Sequence, residues 1–203
     1  MVYRTCNPAD NIMDVANMVH LCPRDRAFLV AAQQNNERGV MRLLDEGANI
    51  LAADSFGFNA AYHLAYHDNG AAVMRLAERD VGVLDQAAIF SRTPLHMLAK
   101  NGNAEAVKAL ATLHPRALLH TDMFRQTPAS FLANFHAGDV IVALADINPG
   151  IKQQASILRE AITSMVMSLI QIRRLVDAGF AVPDDVDSCL KKAHLTRGDV
   201  ALL

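Results

Sequence analysis

The sequence predicts an all-α fold, a solenoid of stacked helix pairs with short hairpin-like loops between them. An apolar position recurs with a period of about 33 residues, at Val40, Val73, Val107, Val140 and Ile172. The chain is also 52% hydrophobic but only 5% aromatic, and it contains no Trp. Small side chains suit closely packed helices better than a β-sandwich. A period of this length is typical of repeat architectures, in which each unit buries its apolar face against its neighbours.

Each unit has the same order of elements: a turn-rich stretch, a first helix, a short break and a second helix. In the third unit Thr93 is the expected N-cap, and Pro94 follows it in the first turn, where a missing N–H costs nothing. The second helix has apolar residues at i, i+3 and i+4, namely Val107, Leu110 and Ala111. These signals predict one helix pair in each unit.

The third unit closely resembles the ankyrin repeat. Residues 93–96 read Thr-Pro-Leu-His, Gly102 follows six residues later, and residues 105–110 read Glu-Ala-Val-Lys-Ala-Leu. The phrases LLDEGANI (43–50) and LVDAGFAV (175–182) are similar to the end of the second helix in that family. The resemblance implies four repeats at about 22–53, 54–86, 87–120 and 121–150, and a degenerate fifth repeat with a C-terminal cap at 151–203. An N-terminal helical cap at 1–21 is predicted from the residues themselves, since Asp10 is a candidate N-cap before an apolar face that includes Ile12, Val15 and Met18.

Some units depart from the family pattern. Residues 59–63 read Asn-Ala-Ala-Tyr-His in place of Thr-Pro-Leu-His, and Ser130 stands where the fourth unit would have His. The fifth unit lacks the motif, and its first helix, at about 152–168, is expected to be overlong. At the C-terminus, a second helix of a sixth unit would only be starting near residue 198.

Two histidines raise the question of a metal site. His63 and His67 are spaced i, i+4 on a predicted helix, a geometry that can hold a metal ion, but the sequence offers no third ligand nearby. The family resemblance instead gives His63 the structural role of His96, an imidazole that ties adjacent units together. No metal and no cofactor are therefore expected.

Several functional classes are disfavoured by composition and by missing motifs. The net charge of −2 and the pI of about 6.4 argue against nucleic-acid binding. GxSxG, GxGxxG and GxxxxGK patterns are absent, and Cys6, Cys22 and Cys189 lie in no nucleophile, disulfide or zinc motif. No catalytic residue is assigned. No signal peptide or membrane span is expected, which favours a cytoplasmic protein.

A second periodicity concerns phenylalanines. Phe56, Phe90 and Phe124 are evenly spaced, one repeat apart, and each lies in the turn-rich opening of its unit, which the resemblance identifies as a projecting loop. Phe58, Ile89 and Met123 flank them. One interpretation is an apolar strip that contacts a partner protein. The other is that neighbouring loops bury the rings against each other.

The ends of the first helices form a second candidate surface. They carry polar, varied residues where the core positions are uniform, and the resemblance implies that partners bind on this concave face; a merely solvated face is the alternative. The candidate residues are His67, Asp68, Lys100, Asn101, Asn134 and Phe135, beside Gln34 and Asn35.

Together these observations predict a monomeric interaction module that binds a folded protein through its concave face and loop tips, without nucleic acid or membrane as partner. Two alternatives remain open. One is a bacterial effector that acts on a host protein after delivery to the host cytosol. The other is a cryptic enzyme that uses region 151–203.

Overall fold

The computed structural model describes residues 18–164 and 166–200. Over these residues the regular structure is helical, apart from one isolated bridge between Ala53 and Asn59, so the predicted all-α class is confirmed. The α-helices are α1 (Pro23–Gln33), α2 (Glu37–Asp45), α3 (Ala60–Tyr66), α4 (Gly70–Arg79), α5 (Pro94–Lys100), α6 (Ala104–Leu113), α7 (Pro128–Leu132), α8 (Gly138–Ile147), α9 (Ala155–Thr163), α10 (Leu169–Asp177), α11 (Val186–Lys192) and α12 (Arg197–Val200). Short 3-10 helices span Val81–Leu84, Ile89–Ser91, Pro115–Leu119 and Pro149–Gln153.

The helices form two rows. The odd-numbered helices from α1 to α11 pack in chain order in an inner row, and the even-numbered helices from α4 to α12 pack in the same way in an outer row. Each unit therefore contacts its immediate neighbours, as expected for a solenoid. Because the inner helices are covered on two sides, residues 60–65 of α3 and 94–99 of α5 are buried without interruption.

The apolar period of the outer row is confirmed with one correction. In four of the five units the buried residue is the one predicted, four positions after the helix N-cap: Val40, Val73, Val107 and Ile172. In the fourth unit the fully buried residue is Ile141, whereas the predicted Val140 is only half-buried. The prediction was one position early, because Ile141 also lies four residues after its N-cap, Ala137, and 34 residues after Val107.

In the third unit, residues 93–96 join two repeats. The Thr93 backbone N–H donates to His96 Nδ1 at 3.1 Å, and His96 Nε2 lies 3.1 Å from the carbonyl oxygen of Gln126 in the next unit. The fourth unit keeps the local half of this arrangement with a shorter side chain, because the Thr127 N–H donates to Ser130 Oγ at 2.8 Å. Ser130 thus replaces the missing histidine at the start of α7.

The second unit differs from the sequence prediction. Helix α3 begins after the N-cap Asn59 as α5 begins after the N-cap Thr93, so Tyr62 and not His63 takes the place of His96. His63 is fully buried, and neither of its ring nitrogens has a hydrogen-bond partner among the described residues. Its Nε2 faces the buried Asp54 Oδ2 at 3.8 Å. The structural role assigned to His63 was therefore wrong.

The terminal regions also correct the prediction. The expected long helix at 152–168 is divided, because Gln154 has non-helical backbone angles between a 3-10 helix and α9, and Ser168 caps a separate helix α10. The N-terminal helical cap falls mostly outside the described residues. Helices α11 and α12 follow at the C-terminal end, and α12 packs on α10 as the start of a further outer helix would.

Candidate functional site

Three projecting loops connect the first four units, and we call them finger one (53–59), finger two (87–93) and finger three (121–127). Finger one is closed by Asp54, whose Oδ1 accepts the backbone N–H groups of Phe56 and Phe58 at 2.9 Å each. In finger three, Asp122 Oδ1 accepts from Phe124 at 2.9 Å and from Gln126 at 3.0 Å. Fingers one and three therefore share one turn geometry, set by an aspartate at the same position.

The fingers are joined edge to edge by backbone hydrogen bonds. The Ile89 N–H in finger two donates to the Phe56 carbonyl oxygen in finger one at 3.0 Å. The Met123 N–H in finger three donates to the Phe90 carbonyl oxygen in finger two at 2.9 Å. The second bond repeats the first one unit further along the stack, so the phenylalanine spacing reflects a repeated docking of one finger on the preceding one.

Exposure of the predicted aromatic series rises along the stack. Phe56 is half-buried and packs against the core, Phe90 is 49% exposed and Phe124 is 62% exposed. Ile89 and Met123, at 37% and 58%, continue the apolar surface. We call Ile89, Phe90, Met123 and Phe124 the fingertip strip.

Phe58 does not belong to this surface. It is 3% exposed and packs against Tyr62, with ring centroids 4.6 Å apart, because its side chain points into the core beneath finger one. The prediction that Phe58 lies at a contact surface was wrong, and for Phe56 the packing interpretation applies.

Finger two has unusual backbone angles. Phe90 has a φ of 61° and Ser91 a φ of 57°, in the left-handed region that bulky residues rarely occupy. The side chain of Arg92 lies over the Phe90 ring at 5.9 Å and over the Phe131 ring at 5.2 Å. An outlier of this kind, held by its surroundings, is more common at functional positions than elsewhere.

The predicted residues at the ends of the inner helices are exposed but engaged with neighbouring units. His67 Nε2 lies 2.7 Å from the Gln33 carbonyl oxygen, and Asn101 Nδ2 donates to the Ala65 carbonyl oxygen at 3.0 Å. Asp68 Oδ1 accepts from Asn103 Nδ2 at 2.8 Å. These side chains hold the stack together and are fixed in place, so their surface is rigid.

The other members of that predicted set vary in exposure. Lys100 is exposed at the end of α5, whereas Asn134 and Phe135 are half-buried. A Cβ added at Gly102 would lie 3.0 Å from the Phe135 ring, so this phenylalanine packs over the turn of the preceding unit. Of these three candidates for the concave face, Lys100 is therefore exposed, whereas Asn134 and Phe135 are partly buried.

An open cleft of about 760 Å³, which the sequence analysis missed, lies between finger three and the start of α9. It exists because Gln154 is the single residue between the preceding 3-10 helix and α9, so the fifth unit has no finger of its own. We call it the arginine cleft; it is lined by Arg92, Thr121, Phe124, Arg125, Gln126, Thr127, Gln153, Gln154, Ala155, Ser156, Arg159 and Glu160.

Three arginines line this cleft, and two of them have acidic partners. Arg92 Nε lies 3.3 Å from Asp122 Oδ2, and Arg159 Nη2 lies 2.8 Å from Asp185 Oδ1. The hydrogen bond from Arg159 lowers the pKa of Asp185. Arg125 is exposed and has no ion pair or side-chain hydrogen bond among the described residues. The three arginines recur at nearly the spacing of the repeat, which is the sequence signal that could have drawn attention to them.

The other clustered histidine and acidic side chains connect neighbouring units. Asp85 Oδ1 lies 3.0 Å from His114 Nε2 and 2.8 Å from His120 Nε2, and so connects the second and third units. Within the described ranges, no group of three or more histidine, cysteine or acidic side chains is arranged to hold a metal ion. Nor does any helix in that part of the chain have both the length and the apolar character needed to cross a membrane.

Two comparisons bear on this arrangement. Residues 28–118 match the family model described as ankyrin repeats, in three copies. The match covers the first three predicted units, including α5 with its Thr-Pro-Leu-His start, and it ends before finger three. A search of curated proteins gave no match.

Proposed function

This chain belongs to the ankyrin-repeat family over residues 28–118, and on that premise we propose that it binds a folded protein partner through the fingertip strip and the adjacent concave face. Ankyrin repeats generally serve as protein–protein interaction modules and are typically not enzymes. The proposal assigns the contact to Ile89, Phe90, Met123 and Phe124, with Lys100 as a polar contact at the end of α5.

The observation that carries this proposal is the contiguous exposure of four large apolar side chains on two fingers joined by a backbone hydrogen bond. Exposed apolar patches on soluble domains commonly mark interfaces, and aromatic residues are enriched among the side chains that dominate binding energy. The strained backbone of Phe90 supports the same assignment.

The rigidity of the surface is a second support. His67, Asp68 and Asn101 are fixed by hydrogen bonds to neighbouring units, so the concave face beside the fingers is already ordered. A preorganised surface loses little conformational entropy when it binds. These three residues therefore contribute by holding the surface in shape, and the direct apolar contacts come from the fingers.

The alternatives receive less support. In region 151–203 the described cysteine is Cys189, and burial raises the pKa of its thiol, whereas a catalytic nucleophile requires a lowered one. That observation disfavours a thiol enzyme. The effector hypothesis stays a prediction that a secretion assay would test, since it concerns delivery and not the binding surface.

The test is an affinity capture from cell extract with wild-type chain and the Phe90→Asp variant, read by mass spectrometry. Asp tolerates the left-handed backbone conformation better than Phe does, so this variant should keep its fold, as checked by circular dichroism. Ile170→Asp is the matched control, because Ile170 is 70% exposed on the outer helix α10, away from the fingers. Proteins captured by wild type and by the control but lost with Phe90→Asp would support the strip. Equal capture by all three proteins would refute it.

A further inference from the structure

The row of joined fingers ends at finger three. Finger one offers its Phe56 carbonyl oxygen to Ile89, and finger two offers its Phe90 carbonyl oxygen to Met123. The equivalent carbonyl oxygen of Phe124 accepts no hydrogen bond from any described residue. Since the fifth unit lacks a finger, the edge that would receive one faces the arginine cleft.

The exposure of the rings follows from this interruption. Fingers one and two each have the next finger docked on them, whereas no described finger docks on finger three, and its Phe124 is the most exposed of the three rings. Fingers one and two thus each have a docked neighbour, whereas the equivalent edge of finger three is open. In both docked pairs the docked segment is a turn-forming stretch whose backbone N–H meets the phenylalanine carbonyl.

The charge of the cleft indicates what could occupy the open position. Its lining carries Arg92, Arg125 and Arg159 against the single acid Glu160. Glu160 already accepts from Gln126 Nε2 at 3.0 Å, and Arg92 and Arg159 have their own acidic partners. Arg125 remains the exposed cation next to Phe124, so a carboxylate is the group that complements this edge.

We propose that the arginine cleft binds a short acidic segment of the partner protein, which docks on finger three as a fourth finger would. A backbone N–H of the segment donates to the Phe124 carbonyl oxygen, and an Asp or Glu side chain pairs with Arg125. The apolar side chain beside that carboxylate lies against Phe124. Backbone pairing supplies affinity and the charged and apolar side chains supply specificity, as in other edge-addition complexes. This deepens the proposed function and rests on it, since the occupant is a protein segment.

The first experiment pans a display library of random seven-residue peptides on the full chain. We expect enriched peptides to contain Asp or Glu next to an apolar residue. Their affinity, measured by fluorescence anisotropy, should fall at least tenfold with Arg125→Glu. The matched control is Arg38→Glu on α2, an exposed arginine at the far end of the stack, which should leave affinity unchanged. No enrichment, or equal loss with both variants, would overturn the proposal.

The second experiment isolates the backbone contact. An enriched peptide is resynthesised with a single N-methyl group at each position in turn, which removes one N–H donor at a time. Because one amide is assigned to the Phe124 carbonyl oxygen, one position should lose at least tenfold in affinity. A peptide that tolerates methylation at every position binds in another way, and that result would overturn the fourth-finger geometry.

A second copy of the chain is the competing occupant. Sedimentation of wild type and Arg125→Glu over a range of concentrations should give a monomer for both. Self-association that Arg125→Glu abolishes would assign the cleft to a neighbouring copy and overturn the proposal. Failure here is separable from failure of the fingertip strip: if Arg125→Glu keeps the captured proteins that Phe90→Asp loses, the cleft assignment is wrong and the proposed function stands.

Discussion

The second and third units of the chain use different residues to cap their first helices and to bond them to their surroundings. In the third unit, His96 accepts the Thr93 N–H and reaches the Gln126 carbonyl of the next unit. In the second unit, Asn59 accepts the Tyr62 N–H through Oδ1 at 2.8 Å, and its Nδ2 donates to the Val83 carbonyl oxygen at 2.8 Å. The N-cap amide of Asn59 thus takes the place of a capping threonine, but its second bond stays within the second unit and does not replace the contact that His96 makes to the next unit.

The histidine of the second unit stands at a different position of its helix from His96 and does not join neighbouring units. Because Tyr62 stands three residues after the N-cap Asn59, His63 is buried one position later, where Met97 lies in the third unit, and it faces the second oxygen of Asp54 without a hydrogen bond. The same residue type is therefore a structural tie in one repeat and an unsatisfied polar group in the next. The position of a residue relative to the helix N-cap therefore predicts its role better than its amino-acid type does.

The largest effect is expected at a position that the units share. Leu110→Ala removes a fully buried side chain at the centre of α6 and should lower the free energy of unfolding by about 2–5 kcal/mol. Leu113→Ala on the same helix is the control, because Leu113 is 42% exposed and should cost under about 0.5 kcal/mol. Urea denaturation measures both. Equal costs would contradict the core described here.

The two finger aspartates should respond unequally although they close the same turn. Asp122→Ala removes two accepted backbone N–H groups and leaves Arg92 without its carboxylate, so we expect a loss of about 2–3 kcal/mol. Asp54→Ala loses the same two bonds but also removes a buried, unpaired oxygen, and should cost about 1 kcal/mol or less. A larger loss at Asp54 on urea denaturation would show that its second oxygen has a partner, such as a buried water.

Acid should destabilise the chain through both histidines. Burial lowers the pKa of His63 to about 3 and that of His96 to about 4, from 6.5 in the unfolded chain. As pH falls from about 6.5 to about 4, the unfolded state takes up protons that the folded state refuses, so stability decreases by up to about 1.4 kcal/mol per pH unit per histidine. Burial also raises the pKa of the adjacent Asp54, whose protonation in the fold opposes this loss at the acid end. Unfolding midpoints measured at several pH values check the slope, and a flat profile over that range would contradict it.

The smallest effect should be a gain. His63→Met gives the second unit the residue found at the same position of the third, and it replaces an unsatisfied imidazole with a side chain that packs without hydrogen bonds. We expect stability to rise by about 1 kcal/mol at neutral pH, and the acid slope to fall towards that of His96 alone. The reverse change, Met97→His, should destabilise. If His63→Met is destabilising instead, His63 makes a polar contact that the described residues do not reveal.

The sequence predicted the parts of the fold that depend on repetition. The helix pairs, the cap at Thr93 and the glycine turn near Gly47 follow from local signals that recur along the chain, and Gly47 indeed has a φ of 89°. The register of the second and fourth units was wrong by one residue, because the N-caps Asn59 and Ala137, from which Tyr62 and Ile141 are counted, do not follow the motif of the third unit. Sequence spacing also could not separate Phe58 from Phe124, since Phe58 is buried by pointing into the core beneath its finger and Phe124 is exposed because no finger follows it.

The arginine cleft was the hardest feature to predict, because it arises from a missing element. A missing finger has no sequence signal of its own. Arg125 belongs to no motif that would predict its exposure. The spacing of Arg92, Arg125 and Arg159 was visible, but these residues are not structurally equivalent, because Arg92 matches Gln126 in the next finger. Only the neighbouring contacts reveal that one edge is unoccupied.

The two-row packing of the helices has a consequence for how binding could be regulated. Because each unit is stabilised by its immediate neighbours, units near either end should open more readily than the central ones, and hydrogen exchange should be fastest there. The fingertip strip belongs to the central units, whereas one wall of the arginine cleft is α9, in the irregular C-terminal part. Local unfolding of that part would remove one wall of the arginine cleft and leave the fingertip strip intact. Destabilising the C-terminal units would therefore abolish binding at the cleft while binding at the strip is kept.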